Sequence, residues 1–228
     1  MAPSPEATDA VRREWTRRVE AEYRSSAHAQ HLTLWLIQLA APRELIDDGL
    51  RIVHDELDHA ELSAAVCAEA GSAATAALQQ DDLRLMVPPG SLEERTLFAT
   101  LEVFCLGETV AVPLFTKLRH ECTVPVARAA LDRVLKDEVR HRQFGWDLLD
   151  YLLERSPTLV DVGRRFLPGA LARLEQRYGQ ASVGQVSSEQ LSAAERAWGL
   201  MPPATYAEIL QATLQKEYEP RFREHALL

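Results

Sequence analysis

Cysteine is scarce. The chain carries three, Cys67, Cys105 and Cys122, odd in number and unpaired in spacing, which argues against a disulfide framework and against a Cys-x-x-Cys metal site. They are expected to be buried thiols. Long apolar runs are missing too. The N-terminal Met1-Ala2-Pro3-Ser4-Pro5-Glu6 lacks the apolar core of a signal peptide, and the most apolar stretch, read as Leu32 to Ala41, is too short to span a bilayer. The expectation is a soluble cytoplasmic protein with no membrane partner. No basic stripe is present: 25 Lys and Arg face 34 Asp and Glu, for a net charge of −9. A phosphate backbone would be repelled, which argues against a nucleic-acid partner. Finally, no segment alternates with the period of a strand, so the expected fold class is all-α.

What is there is helix. The chain has 228 residues, 46% of them hydrophobic, enough for one substantial core. It reads as a single domain, 1–228, with a core bundle over about 7–154 and flanking helices over about 156–225. The first helix spans about Ala7 to Ala40, with Trp15, Val19, Ala29 and Leu36 on one side. Pro42 is expected as the first residue of the second helix, where its missing N–H costs nothing. That helix runs to about Ala70 and stops at Gly71. Residues 71–90, ending in Pro88-Pro89-Gly90, form a long connection. Extended, it reaches about 66 Å, enough to travel a bundle roughly 40 Å tall, and so permits a long crossover between helices 2 and 3. A third helix follows from about Ser91 to His120, and Thr123 with Pro125 opens a fourth that reaches about Glu154. Beyond it, Pro157, Gly169, Gly179, Gly184, Pro202 and Pro203 punctuate three shorter helical segments.

Two helical stretches carry nearly the same string, Asp55-Glu56-Leu57-Asp58-His59 and Asp137-Glu138-Val139-Arg140-His141. Glu and His three residues apart project from one helix face and can grip one metal ion. One Glu-x-x-His is expected by chance in roughly every chain of this length; two, each preceded by Asp, are harder to dismiss. A carboxylate-bridged metal pair in a bundle needs one further Glu from each of two other helices. Glu108 precedes Glu138, and Glu22 precedes Glu56, by about the length of an antiparallel helix pair climbed and descended half-way. Charge also balances, since four carboxylates and two neutral imidazoles offset two divalent ions, whereas four bare buried carboxylates would be costly. Glu20 is the alternative to Glu22, and Glu102 the alternative to Glu108. The competing reading of both strings is a solvated helix face.

Other residues are placed around this site. Gly107 and Pro113 bracket Glu108. The proline removes the hydrogen bond to the Thr109 carbonyl, so a kink or bulge is expected beside the metal. Ser26, Ala29 and Ala111 leave room for a substrate, with Phe104, Val112 and Phe115 as apolar walls, although such residues are also ordinary core positions. His28, His31, His54, His120 and His225 read as surface or structural histidines. Asp58, Glu61 and Arg140 read as solvent-facing or interhelical ion pairs.

In this order, Glu, Asp-Glu-x-x-His, Glu, Asp-Glu-x-x-His, the chain resembles the ferritin-like di-iron carboxylate superfamily over roughly Trp15 to Leu153. The best-matching stretch, from Gly107-Glu108-Thr109-Val110-Ala111-Val112-Pro113 through Lys136-Asp137-Glu138-Val139-Arg140-His141-Arg142-Gln143-Phe144-Gly145, is similar to the second half of the small bacterial di-iron oxygenases, including aldehyde-deformylating oxygenase. The first half has a longer spacing than those enzymes, so the aldehyde substrate is not carried over. The resemblance implies a ferritin-like four-helix bundle, two iron ions, and the ligands Glu22, Glu56, His59, Glu108, Glu138 and His141, with Glu56 and Glu138 bridging. It does not separate iron from manganese.

Ferritins carry one Glu-x-x-His, rubrerythrins usually append a rubredoxin-like domain that is missing here, and the arylamine N-oxygenases place a third His where this chain has Val134. The tRNA-hydroxylating relatives handle a polyanion, which the acidic balance disfavours. The implied function is therefore a di-iron oxygenase or oxidase, with dioxygen and a small organic metabolite as substrates and a separate reductase or ferredoxin as electron donor. The alternative is a rubrerythrin-like peroxide scavenger or a ferroxidase. A homodimer stays open. Asp55 and Asp137, about 100° around the helix from the ligands, are expected to accept the free ring N–H of the histidine on the opposite string, Asp55 from His141 and Asp137 from His59.

Overall fold

The computed structural model describes residues 5–73, 77–179 and 191–228. Gly184, part of the glycine and proline punctuation, and residues 1–4 of the N-terminal reading lie outside them. The described residues are helical and include no strand. Helix α1 (Asp9–Gln38) begins at Thr8, whose hydroxyl accepts the Val11 N–H, as an N-cap oxygen satisfies a donor the first turn leaves free. Residues 39–42 reverse the chain, with Ala40 in a left-handed conformation at φ 51°. Helix α2 (Arg43–Glu69) follows. Pro42 is its N-cap, at φ −52° and ψ 142°, not its first helical residue as predicted. The proline fits here because its extended backbone still lets its carbonyl accept the N–H groups of Leu45 and Ile46. The helix closes at Ala70 and Gly71, the glycine left-handed at φ 76°.

After a connection containing the short 3-10 turn Gln80–Leu83 comes one long helical rod, Leu92–Glu121. It comprises α3 (Leu92–Ala99), a wider π-helical segment (Thr100–Glu108) and α4 (Thr109–Glu121). Ser91 and Glu94 cap its start reciprocally. The irregularity expected at Pro113 lies upstream of the proline, in the nine residues that end on Glu108. There the Phe104–Cys105 backbone comes so close to Gly145 that a Cβ on the glycine would sit 2.7 Å from Phe104 Cβ and 2.9 Å from its carbonyl carbon. Glycine is what permits this approach.

This rod, not Leu32 to Ala41, is the most apolar long element. By length and composition it could cross a membrane, with a window of mean hydropathy 1.6, but 67% of that window is buried inside the protein. It is apolar because it touches α1, α5, α6 and α8 at once.

Helix α5 (Pro125–Arg155) starts with its proline in the first turn. It packs on α2, on α4 and on the π segment, while α1 packs on α2. Contacts of His59 with Asp137 and of Asp55 with His141 show that α2 and α5 run antiparallel. The short turns make α1–α2 and α4–α5 antiparallel as well, so α2 and the rod point the same way. The connection between them must travel the length of the helices. It does so along α1, where the Ala77 N–H donates to Glu20 and Gln80–Arg84 lie beside Ala27, Gln30 and His31.

The remaining elements are α6 (Leu159–Gly179), α7 (Ala193–Ala197), α8 (Pro203–Thr213), a second π segment (Leu214–Tyr218) and α9 (Glu219–Glu224). They share one hydrophobic cluster with the first five helices. Helix α6 covers α3 and the first π segment, and α8 covers α4 and α6. Trp198 and Gly199 close over α1. The Trp15 indole N–H donates to the Trp198 carbonyl at 3.0 Å, and Arg18 donates to the Gly199 carbonyl at 2.9 Å.

Candidate metal centre

Each of the six side chains proposed as ligands is buried: Glu22 at 6% exposure, Glu56 at 2%, His59 and His141 at 0%, Glu108 at 8% and Glu138 at 3%. They arrive from four places, α1, α2, the end of the π segment and α5. Helical spacing brings Glu56 with His59 and Glu138 with His141 onto the inner faces of α2 and α5. Two groups of ligand atoms result, each within 4.8 Å across. One joins Glu56, Glu108, Glu138 and His141, the other Glu22, Glu56 and His59. Glu56 is common to both. Glu138, expected to bridge as well, belongs only to the first.

Position separates the alternatives. Glu20 is half-buried and accepts the Ala77 N–H, whereas Glu22 faces inward. Glu102 is engaged by both prongs of Arg173, at 2.9 and 2.8 Å, whereas Glu108 faces the cluster.

Both imidazoles are oriented from behind. His59 Nε2 lies 3.1 Å from Asp137 Oδ2, and His141 Nε2 lies 3.3 Å from Asp55 Oδ2. These are the two pairs expected from the sequence, each crossing between α2 and α5. With a proton on Nε2, the lone pair on Nδ1 points into the cluster. His141 Nδ1 comes within 3.2 Å of Glu56 Oε1 and 3.5 Å of Glu138 Oε2, and His59 Nδ1 within 3.7 Å of Glu56 Oε2. None of these approaches has the distance and direction of a hydrogen bond, so both Nδ1 atoms, Glu56 Oε2 and Glu138 Oε2 are left buried without a partner. Orphaned polar atoms of this kind are costly and call for an explanation. A cation between them satisfies all four. The residues present therefore fit a metal, with oxygen and imidazole nitrogen donors.

Electrostatics agree with a site built for positive charge. Burial, then repulsion from Glu56 and Glu138, raises the Glu22 carboxyl well above the usual range, and burial followed by Glu138 does the same to Glu108. Burial opposes charge on Glu56, but His141 and His59 outweigh it and hold that carboxyl down to about 2. Burial likewise opposes charge on the two histidines, and the surrounding carboxylates overcome it and raise both.

Outside the aspartates sit Arg133 and Arg140. Arg140 reaches Asp55 at 3.2 Å and also pairs with Asp137. Arg133 pairs with Asp137, with Asp55 at 3.4 Å and with Asp58 at 3.3 Å. Sequence reasoning singled out Arg140 and Asp58 as ion-pair partners and missed Arg133. Its spacing of four from Asp137 on one helix was the available signal.

The residues proposed as substrate walls are less concentrated. Ser26, Ala29 and Phe104 are buried, Phe104 edge-on to the Phe144 ring, while Ala111, Val112 and Phe115 are half-buried. A cleft of about 240 Å³ reaches His141 from the surface, and its walls are Asp48, Arg51, Ile52, Asp55, Arg140, Gln143, Phe144 and Asp147. None of the six is among them. His31, His54 and His120 are exposed and His28 is half-buried. His225 is held by Asp150 at 2.7 Å. The three cysteines are buried and free.

Fold and site together define an all-helical protein with a buried cluster of glutamates and histidines able to hold a metal ion. No protein family, no curated protein and no solved structure matches the chain.

Proposed function

We propose that this chain is an iron-dependent oxygenase or oxidase of ferritin-like build, using dioxygen to oxidise a small organic metabolite. In this reading Glu22, Glu56, His59, Glu108, Glu138 and His141 hold two iron ions. The observation that carries it is the pair of imidazoles, each locked at Nε2 by an aspartate from the opposite helix and each presenting an unpartnered Nδ1 to buried carboxylates. The ferritin-like reading is supported by the antiparallel neighbours α1–α2 and α4–α5 and by the lengthwise connection along α1.

A pair of bound irons would supply the electrons that reduce dioxygen, and a separate reductase or ferredoxin would replace them. The chain's own residues do the rest. Asp55 and Asp137 fix the tautomer and direction of the imidazoles. Glu56 serves both halves of the site. Glu22 and Glu108 can hold or release a proton at a carboxyl oxygen. The surrounding helices exclude bulk water, which strengthens each electrostatic contact inside.

The test is elemental analysis after anaerobic loading with Fe(II) and removal of loosely bound ions. About two irons per chain are expected, from the two ligand groups. One or none, or tightly held zinc, overturns the reading. Oxidation of the reduced protein then separates its variants: an oxygenase reacts with dioxygen at a rate a substrate changes, and a peroxide scavenger reacts far faster with peroxide.

A further inference from the structure

Asp55 and Asp137 are not independent. Asp137 has no exposed surface and Asp55 has 6%, and a buried carboxylate needs counter-charge. Their four oxygens share four partners, two histidines and two arginines. Asp137 Oδ2 takes both His59 and Arg133, and Asp137 Oδ1 takes Arg140. Asp55 Oδ2 takes His141 and Arg140, and Asp55 Oδ1 takes Arg133. The result is a closed ring, His59 to Asp137 to two arginines to Asp55 to His141, two negative and two positive side chains that pin α2 to α5 behind both imidazoles. Within it Arg133 differs from Arg140. It sends one nitrogen to each aspartate and is itself anchored by Asp58, which touches no histidine.

We propose that Arg133 is a positioning residue that couples the two halves of the metal centre, by holding with one guanidinium the aspartates that orient both histidines. The inference rests on the metal reading above. A planar two-pronged fork is what the geometry uses, and the single ammonium of a lysine cannot replace it. Loss of Arg133 should therefore loosen both metal positions together. Loss of Asp137 removes the acceptor of His59 alone and should loosen one first.

The experiment is anaerobic loading of the full chain with Fe(II), followed by timed release of iron to a chelator, with the melting temperature of the metal-free protein measured in parallel. Wild type must first retain about two irons; if it does not, the metal reading fails and the coupling built on it falls with it. With that satisfied, Arg133→Leu is expected to release both irons at least about tenfold faster, in the range usual for groups that orient metal ligands. Asp137→Asn should give one fast and one slower phase. Arg133→Lys, which keeps the charge and stem at a partly exposed position, should release both irons faster than wild type and more slowly than Arg133→Leu. Release from both arginine variants at the wild-type rate overturns the proposal, as does acceleration of a single phase. A lowered melting temperature with unchanged release would reduce Arg133 to a structural ion pair and overturn it equally.

Discussion

Glu22 and Glu108 lie deep enough that burial raises both carboxyls above the ordinary value of 4.5. A carboxyl raised on folding stabilises the fold below its unfolded value, and that contribution is lost as pH rises through the folded value. The raised histidines act in the same sense at higher pH. Glu56, held down to about 2, keeps its contribution throughout and loses it only as pH falls toward that value. The metal-free chain is thus expected to melt at progressively lower temperature as pH rises above 4.5, and cation loading should flatten or reverse that slope. Calorimetry in steps of pH, with and without metal, reads the sign directly.

The same groups link metal to protons. Burial raises the carboxyls of Glu22 and Glu108, and ligands must be deprotonated, so filling the site should release protons. A pH indicator in weak buffer measures this, and near-zero release would contradict the protonation pattern. Asp137→Ala leaves His59 Nε2 unpaired and is expected to weaken iron binding tenfold or more, roughly. Unchanged affinity would show that the pairing does not matter.

Among the elements, the π segment is where periodicity is a poor guide. The long helices were legible from their apolar spacing and from Gly71, Ser91 and Pro125 at or near their ends, because those cues act locally. The widening over Thr100–Glu108 depends on how closely α5 approaches, which no single segment records. Pro113 correctly suggested that the rod is irregular near Glu108 and pointed to the wrong turn. Gly145→Ala should test the approach: its Cβ would meet Phe104 backbone at 2.9 Å, and overpacking of this kind costs about 1–3 kcal/mol. For a chain of this size that lowers the melting temperature by roughly 2–4 °C per kcal/mol. Because Glu108 ends the same segment, iron content should fall as well. A variant with normal stability and full iron would mean that the contact yields easily.

For the molecule as a whole, the motif order made the six ligand candidates and their aspartate partners legible, since spacing on a helix fixes direction. Which residues wall the surface cleft beside His141 was not legible. The cleft at His141 draws its walls from residues such as Asp48 and Asp147, far apart in sequence and unremarkable in type. Likewise the apolar rod could be mistaken for a membrane span until its neighbours are seen. Metal should stabilise the entire fold. At a hundred times the dissociation constant, one site adds about 2.7 kcal/mol, a rise of roughly 5–11 °C, and chelation should remove it. The contact of Trp15 with Trp198 has a consequence in time. The partners are 183 residues apart, so at roughly 5–20 residues per second the ribosome delivers the second about 9–37 s after the first. Through that interval the first helix waits without the two carbonyl acceptors that seat Trp15 and Arg18.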